Sequence, residues 1–286
     1  MRSKPHYCLL AILFTCAALT SQAQLISIHA GATTSMNATF VLDKGLSEDP
    51  RYSSTATYKW SPVGFHFGID LAKKFGLSLE SILSKQGQIY DMVNTAKEVA
   101  GTRKIDMTMI NLPMLMKFMS GGSSAVRGNF NFGPQLSLLT DAVETIQANA
   151  GTYDIPEGVT IESIREELAP GAEYEQYINV DPNDASKYII SQNLPEKDLL
   201  TKKANDFKNA QFQIAAAFGL DLDLSKHLYL SMQGRATYSL TDMRNGDVIA
   251  QLKTDAGSIF GNRAQLAVGM QLGLHYVFGK TRSHRE

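Results

Sequence analysis

The sequence predicts an all-β fold: a closed, antiparallel, up-and-down transmembrane β-barrel of about eight strands, with one long, partly helical extracellular loop. Three observations carry this expectation. The N-terminus reads as an export leader, long stretches alternate between apolar and small or polar residues, and the links between those stretches are alternately short and long.

The leader comes first in the chain. Arg2 and Lys4 precede an apolar run over 9–19, and Ser21-Gln22-Ala23 supplies small residues at the two exit positions. A basic start, a short apolar middle and a small-x-small exit make a secretory signal peptide over 1–23, with Gln24 as the first mature residue. The run is too short for a spanning helix, which needs roughly 20 apolar residues. Phe14 and Thr15 are too large for a lipidation site at Cys16. Cys8 and Cys16, both in the leader, are the only cysteines, so the mature chain has no thiol chemistry and no disulfide. A formal net charge of −1 over 286 residues gives no basic footprint for nucleic acid. Hydrophobic residues make up 44% and the mean hydropathy is −0.14, values that suit a soluble protein or a barrel that hides apolar residues by alternation.

The alternation defines the strands. Over 63–71 the odd positions are Val63, Phe65, Phe67, Ile69 and Leu71, against Gly64, His66, Gly68 and Asp70. Over 212–224 the even positions from Phe212 to Leu224 are apolar, with Gln213, Gly219, Asp221 and Asp223 among the residues between them. The segment 228–241 repeats this with Leu230, Met232 and Tyr238 against Ser231, Gln233 and Arg235, and 264–278 with Leu272, Leu274 and Tyr276 against Gln271, Gly273 and His275. A sustained period of two means strands with one apolar face. Four further candidates, 25–33, 75–84, 105–119 and 126–139, complete a set of eight. Pro113 and Pro134 interrupt two of them, and proline removes a ladder donor.

The links separate a membrane barrel from a soluble one. Turns at 72–74, 120–124 and 225–227 alternate with links at 35–59, 89–104, 140–210 and 242–262. Short turns at one end and long loops at the other are the build of an outer-membrane barrel in a Gram-negative cell. A lipocalin-type barrel packs its large apolar residues inward, whereas here the face opposite them is small and polar. The expected domains are therefore the leader, a barrel over 24–278 with a loop insertion at about 140–210, and a periplasmic tail over 279–286.

The longest link holds fourteen acidic residues against six basic ones, net −8. Within it, 160–168 and 195–207 read as short helices, the second with proline at its first turn. Asp181-Pro-Asn-Asp184 lacks the spacing and glycine of a calcium-binding EF-hand loop, and the favoured reading is a solvated acidic cap.

At this point the residues resemble a known family, the PorT-like outer-membrane β-barrel proteins. The resemblance rests on Gly64-Phe-His-Phe-Gly68, on INLPMLMKF over 110–118, on FNFGPQLSLL over 130–139, and on the late hairpin and last strand over 218–243 and 262–278. It covers most of the mature chain outside the long link; residues 279–286, beyond the last aromatic, and the length of that link depart from it. The resemblance implies a barrel of the small eight-stranded OmpA-like kind and no single activity, with one branch linked to protein secretion across the outer membrane.

Chemistry-bearing residues are sparse. By parity His29, His66 and His275 point inward on the first, second and last strands, which ring closure makes neighbours. Such a trio is the minimal candidate set for a metal, set against interior histidines that merely fill space. Turns centred on Lys73 and Gly122 would place His66 opposite Glu80 and Lys117 opposite Arg127. With Asp221 and Asp223 these form an expected interior charge belt. No nucleophile elbow, paired-carboxylate site or phosphate loop is present in the sequence, so no enzyme and no cofactor is expected. Two function classes stay open. One is a structural or interaction protein that presents the acidic loop 140–210 to a surface or secretion partner; the other is a channel for small solutes. The lipid bilayer is a partner in either.

Overall fold

The computed structural model describes residues 26–72, 74–120, 125–254 and 261–278. The leader 1–23, the tail 279–286 and the turn centres at Lys73 and Gly122 lie outside these residues. The elements are β1 (Ser27–Asp43), α1 (Lys44–Glu48), β2 (Tyr52–Thr55), β3 (Thr57–Ala72), β4 (Phe75–Val93), β5 (Val99–Met119) and β6 (Val126–Ala148). They continue with β7 (Gly151–Asp154), α2 (Ile161–Leu168), α3 (Ala172–Glu175), β8 (Ile178–Asp181), β9 (Asp184–Ile190) and β10 (Lys197–Thr201). The last are β11 (Ala210–Asp223), β12 (Leu228–Ser239), α4 (Gly246–Thr254) and β13 (Arg263–Phe278). No helix among the described residues is long and apolar enough to cross a membrane.

Eight of the strands pair in one closed antiparallel ring, β1–β3–β4–β5–β6–β11–β12–β13, and β13 returns to β1 from Phe278 opposite Ile28 to Arg263 opposite Asp43. All eight period-two segments of the sequence fall on these strands. Large apolar residues stand outward and exposed, among them Phe65, Leu79, Phe118, Phe130, Phe218, Met270 and Leu274. Inward positions are buried and mostly polar: His29, Glu80, Lys117, Asn131, Gln213, Asp221 and Gln271.

Above this belt the polarity inverts. β5 and β6 run for 21 and 23 residues, about twice what crosses a bilayer. On β6 the exposed outward apolar residues stop at Leu138. Beyond it, Ile105, Met107 and Met109 on β5 and Ala142 and Ile146 on β6 turn inward and are buried. The change on β6 is made by a bulge. Met109 faces Leu139 but Thr108 faces Asp141, so Thr140 is the extra residue and the inward set passes from odd to even positions. A similar shift at Pro62 and Val63 separates the two halves of β3. The rising strands leave open edges, which short strands cover. β2 pairs with β4 from Tyr52–Met92 to Thr55–Ile89, beyond the reach of β3. β10 pairs with β6 from Lys197–Ile146 to Thr201–Val143, beyond the reach of β11.

The segment 149–209 then folds over the opening. β7, β9 and β8 form a separate three-stranded sheet, and Tyr153, Ile164, Leu168, Ile178, Tyr188 and Ile190 join the inward residues of the upper ring in a single apolar core. Two expectations for this segment are corrected. The ladders of β6 and β11 run to Ala148 and from Ala210, so the insertion is 149–209. Residues 195–207 are not helical: β10 occupies 197–201, because the exposed edge of β6 supplies a ladder that outweighs local helix preference. The helix expected at 160–168 is present as α2, capped by the Thr160 side chain, which accepts from the Ser163 N–H.

Candidate functional site

The inside of the ring gathers buried charge in layers. At the turn end, β1, β3 and β13 bring His29, His66 and His275 together, with one ring nitrogen from each lying within 4.8 Å of the others. The His29–His66 rings stack at 5.1 Å, and His66–His275 meet edge-on at 4.5 Å. Each imidazole has one nitrogen engaged: His29 Nδ1 lies 2.9 Å from the Tyr229 hydroxyl, His66 Nδ1 3.2 Å from Glu80, and His275 Nε2 2.7 Å from the Ser231 hydroxyl. Asp70 sits 3.4 Å from His29 Nε2.

The next layer spans the lumen. Arg235 on β12 donates two hydrogen bonds to Glu80 on β4, at 2.7 and 2.9 Å. In the ring order β4 and β12 are diametrically opposite, so this pair crosses the full width. Gln271 adds a third donor at 3.2 Å. Beside it Lys117 donates to Asp221 at 2.6 Å, Asn129 donates to the other oxygen of Asp221 at 2.8 Å, and Arg127 donates to Asp223 at 3.0 Å. Glu80, Lys117 and Asp221 are all less than 5% exposed. Above them Gln135 donates to Gln213 and Gln213 to Gln265, at 2.7 and 3.1 Å, a row of amides that spans three strands. A cavity of ≈ 20 Å³ among Ser84, Asn111, Gln135 and Arg235 has room for about one water.

His66 stands opposite Glu80, where a turn centred on Lys73 puts it. The expectation that Lys117 faces Arg127 is corrected: Lys117 is opposite Asn131, and Arg127 is opposite Asp221. The β5–β6 register is offset by four residues from the one a turn centred on Gly122 would give. An even shift keeps each side chain on its face, so both cations stay inward while their partners change. The ion pairs of the expected belt are Lys117–Asp221 and Arg127–Asp223, with Glu80 paired to Arg235. Arg235 is the member that sequence reasoning left out, although its parity on the 228–241 segment already pointed inward.

A second ionic cluster sits where the ring meets the cap. Arg103 on β5 donates to Glu144 at 2.6 Å and to Glu167 of α2 at 2.7 Å. Arg263 of β13 pairs with both Glu144 and Asp43. Arg51 binds Asp49 at 2.8 Å and reaches Glu167 at 3.2 Å. Glu144 lies above the outward apolar rows. Burial alone pushes its carboxyl up, but the Arg103 and Arg263 guanidiniums outweigh burial and hold it at about 2. Glu167 is lowered in the same way, against burial, by Arg51 and Arg103. Two of the acids that the sequence assigns to a solvated cap are thus its ionic anchors, Glu144 buried and Glu167 partly so, while Glu162, Glu166, Glu173 and Glu175 remain exposed on α2 and α3. Composition could not separate the two groups, because only the bulge at Thr140 turns Glu144 inward.

A family model described as "Outer membrane protein beta-barrel domain" matches residues 21–245. Among solved structures the chain is similar to the outer membrane protein OprG from Pseudomonas aeruginosa, at 14% identity and TM-score 0.38, covering 88% of this chain and 95% of that one. It is also similar to Neisserial surface protein A, at 7% identity and TM-score 0.34 with coverages of 86% and 95%. A third similarity is to Ail of Yersinia pestis, at 9% identity and TM-score 0.34 with coverages of 88% and 99%. No curated protein matches the sequence. The family model carries the assignment; these distant likenesses carry none of it.

Proposed function

Because the chain belongs to the outer-membrane β-barrel family whose model spans residues 21–245, we propose that it is a non-enzymatic barrel of the outer membrane with a closed lumen, which holds a folded acidic cap at the cell surface for a partner to bind. The observation that carries this reading is the Glu80–Arg235 pair between opposite walls. Charges less than 9% exposed that bind each other across the lumen fill the space a solute would need, as expected for a ring of about eight strands. The cap supports the interaction role. Its core is continuous with the upper ring, so its outer face is held in one conformation and presents Glu162, Glu166, Glu173 and Glu175 to solvent. A partner with a basic face fits that surface. The resemblance of 64–68, 110–118 and 130–139 to PorT-like proteins supports a secretion complex as the setting for the partner. On this reading the turn end, where β1 begins and β13 ends, faces the periplasm, and the cap lies outside.

The test is photocrosslinking from position 173 in intact cells. One discrete adduct that disappears when the four glutamates are replaced by lysine supports the reading. The same adducts from both proteins, or none, together with solute uptake by vesicles carrying the pure protein, would replace it with a transport channel.

A further inference from the structure

We infer that His29, His66 and His275 form a three-histidine site for a zinc-class divalent cation inside the turn end of the ring. His66 Nε2, His275 Nδ1 and His29 Nε2 are buried and make no hydrogen bond, and the last lies 3.4 Å from Asp70. The three residues are 8%, 2% and 1% exposed. With one nitrogen of each imidazole within 4.8 Å of the other two, some point lies within about 2.8 Å of all three, so ring shifts of under about 1 Å reach the 2.0–2.1 Å of a Zn–N bond.

The surroundings are those of a ligand set. Metal-bound imidazoles as a rule hold their other nitrogen against a carboxylate, hydroxyl or carbonyl, which fixes ring and tautomer. Here Glu80 does so for His66, Ser231 for His275 and Tyr229 for His29. Space for the rings has been cleared. A Cβ on Gly68 would collide with three atoms of the His29 ring, and one on Gly31 with the His275 ring and its backbone. The local charge also favours a cation. Asp70, Glu80, Asp221 and Asp223 stand against Lys117, Arg127 and Arg235, four carboxylates to three cations. Asp70, 3.4 Å from His29 Nε2, adds a carboxylate beside the trio. Three imidazoles with no thiolate suit zinc, copper(II), nickel or cobalt in place of magnesium or calcium. His29 is the third residue of β1, about 7 Å inside the end of the strand, so an ion enters from the turn end and not through the capped one.

The experiment uses the full-length mature chain, folded in detergent and carrying no affinity tag. Zinc is titrated by calorimetry, and cobalt(II) is added as an optical probe. Binding of one zinc per chain, a rise in unfolding temperature reversed by a chelator, and tetrahedral cobalt absorption are expected. His29→Gln and His275→Gln should each weaken binding at least tenfold, and Gly68→Ala should do so with every ligand in place. His227→Gln, between β11 and β12 and outside the trio, should leave zinc binding unchanged. Each variant is checked by its fold-dependent gel mobility before use. A folded native protein that neither binds zinc nor gives the cobalt spectrum would overturn the site. Binding that survives in folded His29→Gln and His275→Gln would overturn it equally.

Discussion

A carboxylate walled off from water must find cations, and Glu80 finds Arg235 on the far side of the ring at 2.7 and 2.9 Å. Removing one member of such a pair leaves the other buried and unpaired, which typically costs about 3–5 kcal/mol, whereas replacing both with apolar residues of similar volume is close to neutral. Arg235→Met should therefore lower unfolding stability in lipid vesicles by about that amount, and adding Glu80→Leu should restore most of it. A second residue-scale expectation concerns acid. The folded Glu144 carboxyl, at about 2, lies below its ordinary value of 4.5. A depressed carboxylate contributes stability that is complete above its unfolded pKa and is lost as pH falls through the folded one. The junction of cap and ring should accordingly weaken between about pH 4.5 and 2. Hydrogen exchange in 149–209 measured across that range checks this, and Glu144→Gln should reduce the dependence, leaving the part that Glu167 contributes.

At the scale of elements, the strands were legible wherever their outer face meets lipid and illegible above it. Thr140 shows why. The alternation of 126–139 breaks there, which in sequence looks like the end of a strand, but the strand bulges and continues to Ala148 with its faces exchanged. Pro62 and Val63 hide the upper half of β3 in the same way. On β4 no bulge intervenes; there Gln86, Gln88, Tyr90 and Met92 simply turn inward where the lower strand has Ser78 and Glu80, and the polarity no longer marks a lumen. β10 could not be read from its own residues at all, since its ladder is specified by an edge of β6 that sequence had assigned to a loop. The cap's stability follows from its core. Ile164, fully buried on α2, should cost about 2–5 kcal/mol as Ile164→Ala. Thr160→Ala removes the α2 cap for about 1 kcal/mol. Either change should speed proteolysis within 149–209, Ile164→Ala the more, and leave the eight-stranded ring resistant.

On the scale of the whole molecule, the chain is two bodies of opposite polarity on one set of strands. The lower ring is apolar outside and charged within; the upper ring and cap enclose an apolar core beside the Arg103–Glu144–Arg263 cluster. The interior histidines and the acids of the lower ring were legible because parity survives errors of register: the β5–β6 pairing moved by four residues and every side chain kept its face. What parity could not supply was which charges meet across the lumen, since that depends on ring order and stagger. The division predicts topology. Protease added to intact cells should clip within 149–209 once the cap is loosened by Ile164→Ala, and cleavage that requires an opened outer membrane would place the cap on the periplasmic side.

The closed lumen is the claim on which the functional reading stands, and single-channel recording in planar bilayers tests it most directly. The unmutated protein should give no steady conductance at moderate voltage, because the Glu80–Arg235 and Lys117–Asp221 pairs fill the ring from wall to wall. A Glu80→Ala, Arg235→Ala variant, which empties the crossing, should admit ions in brief openings. Large, stable openings from the unmutated protein, unchanged in that variant, would contradict the account.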